Sequence, residues 1–285
     1  MKPASMKNFP EGQCSTSFLN GKSSAEVSAF SRGLYYGHGV FETVRIANGE
    51  APLWDLHIKR LIKGSERLGL AVADRKLLEQ YRDQCLSLSP AHCVLKIVVM
   101  AGSGGRGYAA PPELSTDHLF QSFELPGSSS SGQTGITLWV CQQRLAHAPV
   151  LAGMKHLNRL EQILARSEQP VDRYPEGLML DQGNNVVEAI SSNIFCLNNG
   201  KWLTPGLGDC GVAGVMREYL ISTNPVEEAR ICLSDLPSME EVFICNSVKG
   251  IQPVVAVENI ARWGVGPQTL LWQRQLAREI PCFGH

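Results

Sequence analysis

From Pro126 to Gly135 the chain reads Pro-Gly-Ser-Ser-Ser-Ser-Gly-Gln-Thr-Gly. No side chain in that run can build a core, and its backbone entropy is high. It predicts a linker over 126–135 between a smaller domain, 18–125, and a larger one, 136–285. A length of 285 residues suits about two domains of ordinary size. Residues 1–17 read as an N-terminal extension, polar and broken by Pro3, Pro10 and Gly12, without the apolar stretch of a secretion signal.

Hydrophobic period supplies the coarse map. Asp55 is placed to cap a helix with Ile58, Leu61, Ile62 and Leu68 on one face, and Asp74 to cap another with Leu77, Leu78, Tyr81, Cys85 and Leu88. Cys93–Met100 is a β-rich run, so the smaller domain reads as strand, helix, helix, strand: a small α/β unit. In the larger domain Ile136–Gln142 reads as a strand. Lys155–Ser167 reads as a helix with Leu157, Leu160 and Leu164 on one side. Short strands follow at Gly177–Asp181, Val186–Ala189, Asn193–Leu197 and Lys201–Leu203. An amphipathic helix carries Val212, Val215, Met216, Tyr219 and Leu220. Strands at Val242–Cys245 and Pro253–Val257 precede a terminal helix, Gln268–Ile280. The class this predicts is α+β, with a large mixed or antiparallel, barrel-like sheet in the second domain.

Composition narrows the function classes. Hydrophobic residues at 44% and charged residues at 19% describe a soluble, core-forming chain rather than a disordered one. Lys+Arg number 26 against 27 Asp+Glu, which leaves no nucleic-acid footprint. The best apolar run, Val94–Met100, is short and interrupted by Lys96, so no membrane helix is expected. The nine cysteines are odd in number and widely spaced, without a C-x-x-C pair. They indicate no metal site and no redox motif, but reduced, mostly buried thiols in a cytoplasmic protein.

Gly102-x-Gly104-x-x-Gly107 has the spelling of a dinucleotide fingerprint, but Tyr108-Ala109-Ala110-Pro111-Pro112 cannot open the helix that such a site needs. The glycines instead lift Arg106, with Tyr108 close by, on a loop from which a guanidinium can grip a carboxylate. Most surface lysines are solvated. Lys155, among apolar neighbours, is the candidate for an amine freed by desolvation to form a Schiff base. Glu188, in Val186-Val187-Glu188-Ala189-Ile190, either faces solvent or faces inward and needs a cationic partner, for which a protonated pyridine nitrogen serves. Arg60, Ser191, Ser192, Asn193, the turn Gly211–Gly214 and Asn246-Ser247 are each ordinary singly. Together they can supply donors and a helix N-terminus to a phosphate.

The order of these segments settles more. Arg32-Gly33-Leu34-Tyr35-Tyr36-Gly37-His38-Gly39-Val40-Phe41-Glu42-Thr43-Val44-Arg45 comes first, then His57-x-x-Arg60-Leu61 and Lys155-His156-Leu157-Asn158-Arg159-Leu160-Glu161-Gln162. Glu188-x-x-x-Ser192-Asn193-Ile194-Phe195, Thr204-Pro205, Gly211-Val212-Ala213-Gly214-Val215-Met216-Arg217 and Ile244-Cys245-Asn246-Ser247 follow. From about Phe18 to Val257 the chain resembles the fold-type IV pyridoxal-phosphate enzymes. These are the branched-chain and D-amino acid aminotransferases and the 4-amino-4-deoxychorismate lyases. The stretch Lys155–Leu160 and the loop Gly102–Tyr108 resemble the lyases most.

The resemblance implies pyridoxal 5'-phosphate as cofactor, Lys155 as its Schiff-base residue and Glu188 as the partner of its pyridine nitrogen. Around the phosphate it implies Arg60, Ser192, Asn193, the backbone of Val215 and Met216, and Asn246 with Ser247. Thr43 falls where lyases carry a threonine near the substrate, and Arg106, Tyr108, Arg45 and Asn158 are the candidate substrate contacts. Two positions depart from the lyase pattern: His38 stands for an aspartate and Ala101 for an arginine. The implied activity is conversion of 4-amino-4-deoxychorismate to 4-aminobenzoate and pyruvate by a homodimer. The alternatives are an aminotransferase of D-amino or branched-chain amino acids and a non-catalytic cofactor-binding protein.

Overall fold

The computed structural model describes residues 16–24, 26–125 and 134–284. Most of the expected linker, and the expected N-terminal extension through residue 15, lie outside them. The chain divides into two compact units, Met1–Gly127 and Ser128–His285.

The first unit is built on five strands: β1 (Thr16–Leu19), β2 (Lys22–Ser23), β3 (Gly39–Ile46), β4 (Cys93–Ala101) and β5 (Thr116–Glu124). Their order is β2-β1-β5-β4-β3, and every pairing is antiparallel. Helices α1 (Arg32–Tyr36), α2 (Trp54–Arg67) and α3 (Arg75–Leu86) complete it. β3 alternates as an amphipathic strand must. Val40, Glu42, Val44 and Ile46 are buried, while Phe41, Thr43 and Arg45 on the opposite face are half-buried. α2 buries Ile58 and Leu61, each worth about 1.5–3 kcal/mol of apolar transfer. Asp74 caps α3 as expected, accepting from the Leu77 N–H at 2.9 Å. Asp55 does not cap α2. That position belongs to Leu53, which makes no side-chain cap bond. Asp55 lies inside the first turn, where its charge suits the helix dipole, and pairs with Arg75 at 2.5 Å. The loop after β4 leads to β5 with no intervening helix, as the prolines require.

The second unit holds β6 (Ile136–Leu145), β7 (Glu176–Asp181), β8 (Val186–Ala189), β9 (Asn193–Asn198), β10 (Lys201–Pro205), β11 (Val226–Ala229), β12 (Glu241–Asn246), β13 (Gly250–Val257) and β14 (Ala261–Arg262). The sheet order is β11-β10-β9-β12-β13-β6-β7-β8, with β14 on β13. The β10–β11, β6–β13 and β6–β7 pairs are parallel and the rest antiparallel, so the sheet is mixed. Leu138, Leu178, Ile194, Val242 and Val254 belong to its core. Phe195 and Phe243 stack at 4.8 Å beneath Trp272.

Among the described residues, three α-helices of at least seven residues accompany this sheet: α4 (Leu160–Arg166), α5 (Val215–Thr223) and α6 (Pro267–Glu279). α4 corrects an expectation. The helix does not start at Lys155, and Leu160 and Leu164 are 71% and 56% exposed. Period marks an apolar stripe without saying what it faces. Residues 155–159 are not helical; the Arg159 side chain instead donates from Nε to the His156 carbonyl at 2.9 Å. No helix among the described residues is long and apolar enough to cross a membrane.

Candidate active site

In the second unit the segment before Lys155 is tied to the turn 209–213. Ala148 N–H donates to Asp209 O at 2.7 Å, Gly153 N–H to Gly211 O at 2.9 Å and Ala213 N–H to Gly153 O at 3.0 Å. Lys155 therefore emerges beside that turn. Glu188, on β8, reaches the same turn and accepts from the Val212 N–H at 2.9 Å. The turn depends on Gly211, whose φ of +81° disfavours a side chain and whose added Cβ would lie 2.9 Å from both Leu207 and Val187.

Glu188 is 4% exposed. Burial pushes its pKa from 4.5 up to about 7, against the Val212 hydrogen bond and the Arg159 and Lys155 charges that pull it down. A carboxyl so desolvated would gain most from a cationic N–H partner. Asn158 is exposed, and with His156 and Arg159 it lines a cavity of about 260 Å³. Burial, then the Arg159 charge, lowers His156 to about 4, so its imidazole is neutral near neutral pH.

A second cluster lies at the strand ends of the same unit. Asn246 Nδ2 donates to Ser192 Oγ at 3.0 Å and to the Ser191 carbonyl at 3.4 Å. Its Oδ1 accepts from the Val248 and Lys249 N–H groups at 3.0 and 2.8 Å, which folds Ser247 into a tight turn. Glu176 lies against this cluster, accepting from the Ser191 N–H at 3.2 Å and from the Ser191 and Ser192 hydroxyls. Burial raises its pKa; the Ser191 bonds and the Lys249 and Arg166 charges oppose the rise. Asn193 is buried on β9 and donates to the Val212 carbonyl at 2.9 Å. α5 begins with buried Val215 and Met216, and its N-cap is Gly214, which offers no side-chain cap. An uncapped helix start directs N–H groups and a positive dipole end outward, as an anion requires.

The first unit holds Arg60, Thr43, Arg45, Arg106 and Tyr108. Arg60, on α2, is paired with Glu42 of β3 through Nε at 2.7 Å and Nη2 at 2.5 Å, and His57 Nδ1 lies 2.6 Å from Glu42. Burial would raise the Glu42 pKa, but the Arg60 charge and the bonds from Arg60 and His57 outweigh it and hold the carboxyl at about 2. Arg60 is thus a guanidinium fixed on the buried Glu42 carboxylate. Thr43 and Arg45 occupy the other face of β3, where Lys96 of β4 is directly opposite Thr43. Arg106 is exposed and Tyr108 is 89% exposed, both on the loop after β4.

The donor set suits pyridoxal phosphate. Glu188 is a buried carboxyl whose pKa burial raises despite the Arg159 and Lys155 charges, Lys155 emerges beside its turn, and a helix start and a polar Ser–Asn turn are available for phosphate. The family model for amino-transferase class IV matches residues 39–257.

The chain belongs to the class IV aminotransferase family.

Family membership is joined by closer likenesses. The aminodeoxychorismate lyase of Vibrio harveyi is 32% identical over 268 residues, spanning 91% of this chain and 98% of that one. The crystal structure of 4-amino-4-deoxychorismate lyase from Pseudomonas aeruginosa superposes with a TM-score of 0.89 at 38% identity, covering 93% of this chain and 99% of the other. Branched-chain amino acid aminotransferase from Escherichia coli shares the class IV fold, with a TM-score of 0.79 at 24% identity and 92% of each chain covered.

The two departures from the lyase pattern are neighbours. The Ala101 N–H donates to the His38 carbonyl at 2.9 Å, and Ala101 is fully buried. His38 is held through Nε2 by the Leu68 carbonyl at 2.9 Å. Sequence reasoning gave no role to Glu42, Glu176, Lys96 or Arg32. For Glu42 the available signal was an acid in the apolar run Val40–Val44, three positions from which alternate to one buried face. In the sequence Lys96 is only an interruption of an apolar run. Glu176 and Arg32 are visible only through partners distant in the chain.

Proposed function

We propose that the protein is a pyridoxal-phosphate-dependent lyase that converts 4-amino-4-deoxychorismate to 4-aminobenzoate and pyruvate, a step of folate biosynthesis. The observation that carries this reading is the near-full-length likeness to the Vibrio and Pseudomonas lyases. When bound, pyridoxal phosphate supplies an electron sink beside the amine-bearing carbon of the substrate.

The remaining work falls to side chains. Lys155 Nζ would hold the cofactor, and its amine would take the proton from the amine-bearing ring carbon of the substrate. Glu188 keeps a proton on the pyridine nitrogen. Arg60, Ser192, Asn193, Asn246 and Ser247, with the backbone N–H groups of Val215 and Met216, hold the phosphate. Either Lys155 or the Thr43 hydroxyl returns a proton to the methylene carbon of the departing enolpyruvate. Arg106 and Arg45 grip substrate carboxylates, with Tyr108 and Asn158 as further contacts. The ring becomes aromatic as the carbon–oxygen bond breaks, so the reaction runs downhill and the protein's main task is positioning.

The partner in this reading is a second copy of the chain, forming a homodimer, with no nucleic acid or membrane involved. Eight free cysteines among the described residues, six of them buried, suit the reducing cytoplasm. The test is product analysis of purified holoenzyme given 4-amino-4-deoxychorismate without a 2-oxo acid. Equal amounts of 4-aminobenzoate and pyruvate are expected. Product that forms only when a 2-oxo acid is added would make the protein an aminotransferase.

A further inference from the structure

Arg32, the first residue of α1, is 5% exposed although it carries a full charge. Its hydrogen-bond partners are carbonyl oxygens of the loop after β4. Nη1 donates to Gly107 O at 3.0 Å, Ala109 O at 3.3 Å and Gly104 O at 3.4 Å, and Nη2 donates to Tyr108 O at 2.9 Å. The guanidinium also lies 5.1 Å from the centre of the Tyr36 ring, which is 5.5 Å from the Tyr108 ring.

The loop is curled to fit this group. Gly104, Gly105 and Gly107 have φ of +131°, +80° and +59°, a region that side chains disfavour. A Cβ on Gly105 would lie 2.3 Å from Ala109 O and 3.2 Å from Arg32 Nη1. The segment thus turns its carbonyls inward around one cation, while Arg106 and Tyr108 are exposed. Three glycines in six residues give the unbound loop a large conformational entropy, so something must fix it. A planar fork of five donors can serve four diverging carbonyls; an ammonium, a compact charge with three donors, cannot do so equally.

We propose that Arg32 is the positioning residue that holds the 104–109 loop in the conformation presenting Arg106 to a substrate carboxylate, so that it sets affinity for an acidic substrate rather than the rate of bond cleavage. This rests on the lyase reading for its substrate but not for its structural half. Two like charges at one loop, Arg32 of α1 enclosed by it and Arg106 exposed on it, favour an anionic ligand over a neutral one.

The test uses the holoenzymes of Arg32→Lys, Gly105→Ala and the double variant. Gly105→Ala disturbs the same loop with Arg32 left in place. Trypsin cleavage after Arg106, followed by mass spectrometry, reads loop order without any substrate. In each single variant, cleavage is expected to accelerate about tenfold and KM for 4-amino-4-deoxychorismate to rise about tenfold, with kcat within about threefold of wild type and an unchanged cofactor absorbance. The double variant is expected to be no worse than the worse single one, because both act through one element.

Unchanged cleavage and KM in variants with normal absorbance would overturn the proposal. So would faster cleavage with unchanged KM, or a loss of kcat alone. If Arg32→Lys does not fold, Gly105→Ala decides by the same criteria. If the wild-type enzyme makes no 4-aminobenzoate, the functional reading has failed, and cleavage alone decides whether Arg32 orders the loop.

Discussion

Glu188 stands in a place that costs the protein stability. Its carboxyl titrates near 7 in the fold against 4.5 ordinarily, chiefly because of burial. Between those values the folded chain keeps a proton that the unfolded chain has released. Stability of the cofactor-free protein therefore falls as pH rises from about 4.5 to about 7, by up to about 3 kcal/mol, and stays lower above that. Glu188→Gln removes the titration. Urea unfolding of the cofactor-free variant at pH 8 is expected to show it about 2–3 kcal/mol more stable than wild type, with little difference at pH 4.5. A wild-type protein as stable as the variant at pH 8 would show that the carboxylate already has adequate partners. With pyridoxal phosphate added the order is expected to reverse, since only the carboxylate can pair with a protonated ring nitrogen. A group that destabilises the empty fold and holds the loaded one is what a functional site, rather than a packing site, looks like.

At the scale of elements, α5 shows how far the chain could be read. Its apolar spacing was visible, and so was the glycine turn before it. The need for glycine at 214 was not visible, because it depends on Asn193 of β9. A Cβ at Gly214 would lie 1.9 Å from Asn193 Oδ1, and Asn193 in turn holds the Val212 carbonyl, whose own N–H binds Glu188. Gly214→Ala is accordingly expected to weaken cofactor binding about tenfold or more, measured by absorbance titration, while costing only about 1–3 kcal/mol of stability as an overpacking change. Unaltered affinity would mean that Asn193 can move without disturbing the turn.

The same distinction explains the other successes and failures. Asp74 was legible as a cap because its bond spans three residues. Asp55 was misplaced because the start of α2 is set by Leu53 and by an ion pair with Arg75 twenty residues away. β3 was expected only as a strand before the helices, without bounds, because Glu42 and Arg45 interrupt its apolar residues, and β5 escaped a period-based map, since it carries Asp117, His118 and Gln121. Strand order was not legible at all; the β13–β6 pair, for example, joins segments more than a hundred residues apart. Candidate site residues could be named where they sit within motifs, while partners such as Glu42, Glu176 or Arg32, which work across the fold, could not.

For the molecule as a whole, cysteine chemistry offers a measure of how tightly the core is closed. Cys85, Cys93, Cys141, Cys196, Cys210 and Cys245 are buried and free, whereas Cys232 and Cys282 are partly exposed. Burial pushes Cys93 up to about 11 and Cys141, Cys196 and Cys210 to about 12, and raises Cys85 and Cys245 as well. Thiolates are the reactive form, so these six are doubly protected, by access and by protonation. Titration of the native protein with an aromatic disulfide reagent is expected to modify Cys232 and Cys282 quickly; Cys14 lies outside the described residues. The six buried thiols should react only as fast as the fold opens, and all at once after denaturation. Mass mapping that found Cys141 or Cys196 modified early would mean that the second unit opens locally far below its global stability. Modification of Cys85 or Cys93 would say the same of the first unit. Because three of the six line the mixed sheet or its edge at β6, β9 and β12, added pyridoxal phosphate is expected to slow their reaction further if the cofactor binds the folded state alone.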